Sequence, residues 1–243
     1  MRSEAALTPA GSGALAPRER LAEVAQRARP VALAREQILP VLPPLEAVLP
    51  GGLRRGTTVG VGSSTSLALA LLAGPVQAGS WLAAVGVSTL GLAAAAELGV
   101  TLDHLVLVAD PPNDSWATTV ATLVDAFDAV LVHARRHTKH ADARRLAARA
   151  RERGSVLVVL GGEGTWPEAP DVRLSIVRSE WTGLGDGHGH LRARNVTIEV
   201  DGRRGAARPR RVDLWLPAAG GGVAEVEPLA EVRPFTRREP SVR

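Results

Sequence analysis

Cysteine and tyrosine are absent from the 243 residues, lysine and methionine occur once each, and aromatic residues make up 3%. Without cysteine there is no disulfide framework, no thiolate nucleophile and no zinc site built on sulfur. Six histidines remain as metal-ligand candidates. The shortage of aromatics leaves a base-stacking platform for single-stranded nucleic acid poorly supplied. Also missing is an uncharged apolar run of the roughly 18 residues that a membrane span requires. The nearest stretch, Leu67 to Leu98, carries Gly74, Pro75, Gln77 and Gly79, a pattern that predicts helix, turn and strand. The opening MRSEAALTPAGSGALAPRER has no apolar signal core, and a cytoplasmic protein with no membrane contact is expected. The net charge is +4, and Lys139 is the only lysine among 29 basic residues. Such arginine bias alongside abundant Ala, Gly, Val and Leu can follow from genome base composition, so where the arginines cluster matters more than how many there are.

What is present reads as one core with appendages. Residues 1–16 are small and polar and predict a disordered lead. Residues 17–55 predict an N-terminal helix with Leu21, Val24, Ala25 and Ala28 on one face, then the proline-punctuated arm ILPVLPPLEAVLPGG. That arm suits packing on its own core or docking on a neighbouring subunit, which would give self-association. Residues 56–217 alternate β-type runs with helical patterns and predict an α/β fold, a mostly parallel sheet with helices on both faces. Expected strands are Thr57–Val61, Trp81–Val85, Leu105–Val108, Ala129–His133 and Val156–Leu160. Expected helices are Ser66–Leu72, Leu90–Leu98, Trp116–Phe127 and Ala141–Arg153. Runs such as AVLVHA and SVLVVL are apolar without alternation, as strands buried on both faces should be. Beyond Pro170 the pattern alternates, predicting added antiparallel strands at Arg173–Val177, Leu191–Val200 and Arg211–Leu216. Residues 218–243 are Gly-, Pro- and charge-rich and predict a flexible tail.

The turn after the first core strand reads GVGSSTSLALALLA, where parallel α/β folds bind phosphate at a helix N-terminus. A working phosphate loop has the form G-x-x-x-x-G-K-[ST], with a lysine on the β and γ phosphates and a hydroxyl on magnesium. Here Gly62, Ser63, Ser64, Thr65 and Ser66 form a shorter loop with no lysine. The segment GLRRGTTVGVGSSTSLALAL, together with AAAAELGVTLDHLVLVADPPNDSWATTVATLVDAFDAVLVHA, resembles the RecA superfamily in the order and spacing of strand, helix and strand. The resemblance spans about residues 45–217, with LGVTLDHLVLV its most specific part. It implies a RecA-like core in which the family's catalytic glutamate falls at Val87 and its magnesium-associated aspartate at His133. Valine accepts no proton, and neutral imidazole is a poor substitute for a carboxylate beside magnesium triphosphate. Loss of lysine, glutamate and aspartate together predicts a pseudo-ATPase, with no catalytic residue and no cofactor.

The remaining clusters have two readings each. His133, His137, His140 and Asp142 fit a metal site or, better, a basic loop entering a helix, and no metal is expected. His188 and His190 lie on a Gly-rich segment expected to be a loop. Arg192, Arg194, Arg203, Arg204, Arg208, Arg210 and Arg211 concentrate charge on neighbouring strands and their hairpin, which fits weak DNA contact, a partner surface or a solvated face. Trp181, in EWTGLGDGHGHLRARNVTIEV, occupies the place of the Gly-rich second DNA-binding loop of RecA-like proteins, and fits nucleic-acid or partner contact or a structural turn. With the proline-rich arm and the WTGLGDGHGHL segment, the chain resembles the ImuA group, including its ATPase-deficient actinobacterial branch. That resemblance implies an accessory role in damage-induced mutagenesis, joining an ImuB-like Y-family polymerase homologue and, through it, an error-prone replicative-type polymerase during translesion synthesis. Alternatives are a cell-division inhibitor of the SulA type, a DNA-binding recombination mediator, or an unconventional nucleotide-binding ATPase in which Arg54 or Arg55 replaces the lysine.

Overall fold

The computed structural model of the chain describes residues 38–135, 138–162, 164–185, 188–202 and 209–226. The expected N-terminal helix, Arg136, His137, Arg203, Arg204 and Arg208 lie outside the described residues. In chain order the elements are β1 (Ile38–Leu39), β2 (Leu53–Arg54), β3 (Thr58–Val61), α1 (Thr65–Gln77), β4 (Leu82–Val85), α2 (Leu92–Glu97), β5 (Leu105–Val108), α3 (Trp116–Ala126), β6 (Ala129–His133), α4 (His140–Arg153), β7 (Val156–Leu160), β8 (Val172–Gly185), β9 (His188–Gly202), β10 (Arg210–Trp215) and β11 (Ala224–Glu225). Nine strands make one sheet in the order β11-β10-β9-β8-β3-β7-β6-β4-β5. Every neighbouring pair from β8–β3 to β4–β5 is parallel. The pairs on the other side are antiparallel. The fold is therefore mixed α/β, a large mostly parallel sheet flanked by helices and extended by antiparallel strands at its C-terminal end.

Each face of the parallel half has its own core. On one face, α1 and α2 pack on Val59, Leu82, Ala84, Leu131, Val158 and Leu174. On the other, α3 and α4 pack on Ala83, Val85, Val130, Val132, Leu157 and Val159. This alternate sorting of uniformly apolar strands between two helical layers is why the parallel strands show no polar alternation. Helix α4 shows the opposite economy: only Ala143, Leu146 and Ala150 are buried, a single stripe at helical spacing, with arginines elsewhere. It ends at Gly154 in a left-handed cap.

The N-terminal arm belongs to the first core. Leu39, Val41, Leu45, Val48, Leu49 and Leu53 are all buried there, so of the two readings of residues 38–53 the packing arm is the one seen. The crossing corrects the expected end of α1. Gly74 and Pro75 do not stop the helix at Leu72, and it continues to Gln77 with Pro75 inside it. A Cβ at Gly74 would lie 2.6 Å from the Val41 carbonyl carbon and 2.7 Å from the Pro40 oxygen, so glycine is there to let the arm cross the helix at backbone distance. The predicted flexible tail is also shortened, because Ala224–Glu225 pairs with Leu214 and Trp215 as the outermost strand. Residues 227–243 lie outside the described residues.

The largest difference from expectation is at β8 and β9. The alternation predicts strands of Arg173–Val177 and Leu191–Val200, but the pair runs from Val172 to Gly185 and from His188 to Gly202. The extra length is a hairpin. Trp181 pairs with Arg194 and Gly185 with His188, so Trp181, His188 and His190 lie on strands and not in a loop. Register shifts interrupt the pairing at Ile176/Arg178 and Thr182/Leu184. Gly183 sits within the second, with φ +96°, where a Cβ would come within 2.3 Å of the His190 carbonyl oxygen.

Candidate functional site

Strand β3 delivers its C-terminal end into a three-residue turn, Gly62–Ser64, and α1 starts at once. Ser64 caps the helix, its hydroxyl accepting from the Leu67 N–H at 3.2 Å and lying 3.1 Å from the Ser66 hydroxyl. The Gly62 N–H donates to the Leu174 carbonyl at 2.9 Å, which ties the turn to β8. One of the amides that a phosphate loop would aim at a ligand is thus already committed to the sheet. Beside the turn lies an open groove of about 470 Å³ lined by Gly62–Ser66 and by Ser175, Ile176, Val177, Arg178, Ser179 and Arg194. Hydroxyls, the Arg194 guanidinium and a helix N-terminus favour an anion there, whereas the Arg178 guanidinium is already paired with Glu180 at 2.6 Å. No carboxylate and no lysine is among these lining residues.

Val87 and His133 stand at the same edge of the sheet, just beyond β4 and at the end of β6. Val87 is half-buried and packs on the first core, whereas His133 is exposed. Arg54 and Arg55, considered as replacements for the lysine, are at the wrong end of β3. Arg55 reaches the Asp128 carboxylate at 2.9 Å and the Gly154 carbonyl at 3.4 Å. Asp128 is buried and also accepts from the Trp81 N–H at 3.0 Å, so this pair locks the N-terminal ends of β4 and β6. The cations that face the loop are Arg178 and Arg194. Ser175, Arg178 and Ser179 were not singled out from the sequence, since nothing local marks them. They reach the groove through the β3–β8 pairing.

Residues 47–168 match the family described as MT3502 N-terminal domain, half of the chain. The chain belongs to that family. The match takes in the turn at Gly62–Ser66, Val87 and His133, and stops before the β8–β9 hairpin. A Mycobacterium tuberculosis protein named "Uncharacterized protein Rv3395c" is 36% identical over 115 residues, which is 47% of this chain and 56% of the relative. The chain thus spans little more than half of the length of that relative.

The expected arginine group is divided by the sheet. Arg192 and Arg194 are near the tip of the hairpin, while Arg210 and Arg211 pair with Val200 and Glu199 at the far end of β9. Arg210 donates to the Val48 carbonyl and holds the arm. Arg211 is 2.9 Å from Glu199, as on a solvated face. Arg194 is more specialised: its Nε donates to the Ser179 hydroxyl at 2.6 Å, and its guanidinium lies 5.8 Å from the Trp181 ring centroid. Around this pair Val177, Trp181, Leu184 and Leu191 are all exposed, Leu184 by 65%. Gly185-Asp186-Gly187 carried a turn signal that could have found this hairpin. Of the histidine cluster, His140 opens α4 and lies 3.8 Å from Glu168. Among the described residues no three metal-ligating side chains converge. No helix among them is long and apolar enough to cross a membrane.

Proposed function

We infer that this chain is a non-catalytic, RecA-like accessory protein of the ImuA type, which serves damage-induced mutagenesis by joining partners. The observation that carries the reading is the groove at the Gly62–Ser66 turn. It offers hydroxyls and arginines to an anion but, among its lining residues, no carboxylate to accept a proton from water or to stand beside magnesium, and no lysine for the phosphates. Val87 and His133, the positions at which the RecA resemblance would put the two carboxylates, spend their side chains on packing and on solvent. The hairpin supports the other half of the reading. A two-stranded ribbon with Trp181, Leu184 and Leu191 exposed has too little burial of its own to account for those residues. Aromatic and arginine anchors of this kind dominate protein interfaces. The proposed partner is the ImuB-like polymerase homologue, with the replicative-type polymerase reached through it.

One test combines titration with ATP and magnesium and binding to the purified polymerase homologue. No heat and no hydrolysis with ATP, together with partner binding that is lost in Leu184→Asp, is the expected result. Hydrolysis at any steady rate overturns the reading. A second reading, in which Arg194 holds a phosphate group without cleaving it, is favoured by the groove's lining. It predicts saturable ATP binding that Arg194→Ala weakens, with no turnover.

A further inference from the structure

Among the described residues the sheet has several unpaired borders: the outer edges of β10 and of the β8–β9 hairpin carry charged side chains, and that of β5 carries none. At one side the sheet ends in β11, two residues long. At the other it ends in β5, Leu105–Val108, which is paired only with β4 and has no second strand neighbour among the described residues. Edge strands are usually blunted by a charge, a proline or a bulge, because their free N–H and C=O groups template pairing with another chain. Strand β5 has none of these devices. Its sequence is LVLV, its register on β4 is unbroken, and Leu107 is 48% exposed. Leu102, in the short turn that leads into it, is exposed as well.

We propose that β5 is a self-association surface whose occupant is β5 of a second copy of this chain. A two-fold axis beside Leu107 sets Leu107 opposite Leu107 and Val106 opposite Val108, and joins two nine-stranded sheets into one. Residues opposite each other in an antiparallel pair share a face, and this register respects that rule: Leu107 lies level with Ala84 of the first core on both copies. The strand is uncharged, so the copies meet without repulsion. At its ends the same register brings Asp110 of one copy level with His104 of the other, an arrangement free of like-charge opposition. Self-complementary contacts about a two-fold are the commonest way soluble chains associate. The surface is separate from the turn at Gly62–Ser66 and from the hairpin, so it stands whether or not the pseudo-ATPase reading does.

The chain has no cysteine, so one introduced thiol reports one contact. In the full-length protein, sedimentation equilibrium is expected to give a dimer. Leu107→Arg is expected to give a monomer with unchanged circular dichroism and melting temperature. Leu107→Cys treated with a short bis-maleimide should run as a covalent dimer, while Leu184→Cys, more exposed but on the hairpin, should stay monomeric on the gel. Wild-type protein that is monomeric at every concentration overturns the proposal, as residues 1–37 covering the edge of their own chain would. So does a dimer whose Leu107→Cys form fails to cross-link, as when an arm of one copy lies on the edge of the other. Should Leu107→Arg fail to fold, the cross-linking pair decides alone.

Discussion

The two halves of the sheet solve opposite problems. Strands β3, β4, β6 and β7 are buried on both faces, and almost every side chain they carry enters one of two cores. Strands β8 to β10 carry Leu174, Val196, Ile198, Val200 and Leu214 to the first core only, and turn Glu199, Arg211 and Asp213 to water. The distal part of β8 and β9 has no helix layer, yet it holds three of the largest exposed apolar side chains. The first region cannot change without cost to folding. The second is where binding can be altered at little cost in stability.

Substitutions test that division. Asp128→Ala strikes the covered half hardest: it leaves the Arg55 guanidinium and the Trp81 N–H without their acceptor, and a loss of about 3 kcal/mol is expected by urea denaturation. Gly74→Ala pushes a methyl into the backbone of Pro40 and Val41 and should cost about 2 kcal/mol by the same measurement, as overpacking does. If the two variants melt like wild type, the arm and the N-terminal lock are not what hold this half.

A smaller effect is expected at the surface between α3 and α4. The Arg149 hydrogen bond, with the charges of Arg149 and Arg153, holds the Asp125 carboxyl below its ordinary range. A carboxyl depressed in the folded state adds stability at pH above its unfolded value, and that contribution fades as the pH falls through the folded value. Asp125→Asn should therefore lower stability near neutrality and flatten its dependence on acid, seen as convergence of the two melting curves at low pH. The smallest change in stability belongs to the hairpin: Leu184→Asp is expected within about 0.5 kcal/mol of wild type while partner binding is lost. A large stability loss there would erase the contrast between the halves.

Sequence reading located the covered half well for a physical reason. AVLVH and VLVVL carry the uniform apolarity of strands buried on both faces, and α4 shows its stripe in Ala143, Leu146 and Ala150. It failed where burial is not the determinant. The outer part of β8 and β9 is exposed on both faces, so Trp181–Leu184 and His188–His190 show no hydrophobic period and read as a loop. Gly74 and Pro75 misled because the arm that explains them is more than thirty residues upstream. The turn at Gly62–Ser66 was legible as the place in the fold where a strand hands over to a helix N-terminus, but its surroundings were not. Arg178 and Arg194 reach it only through strand pairing, and Arg54 and Arg55, close to it in sequence, are at the other end of the strand.

The crossing at Gly74 also orders events during synthesis. Pro40 and Val41 leave the ribosome ahead of the helix they must lie against, so the arm waits, its leucines unsheltered, until Gly74 and the rest of α1 have followed. Only then does the nascent chain have both parts of its clasp, and until β8 to β10 arrive it clasps an unfinished domain. A chain stalled before Gly74 would therefore expose Leu45, Val48 and Leu53 together, making those residues the earliest target for chaperone or protease.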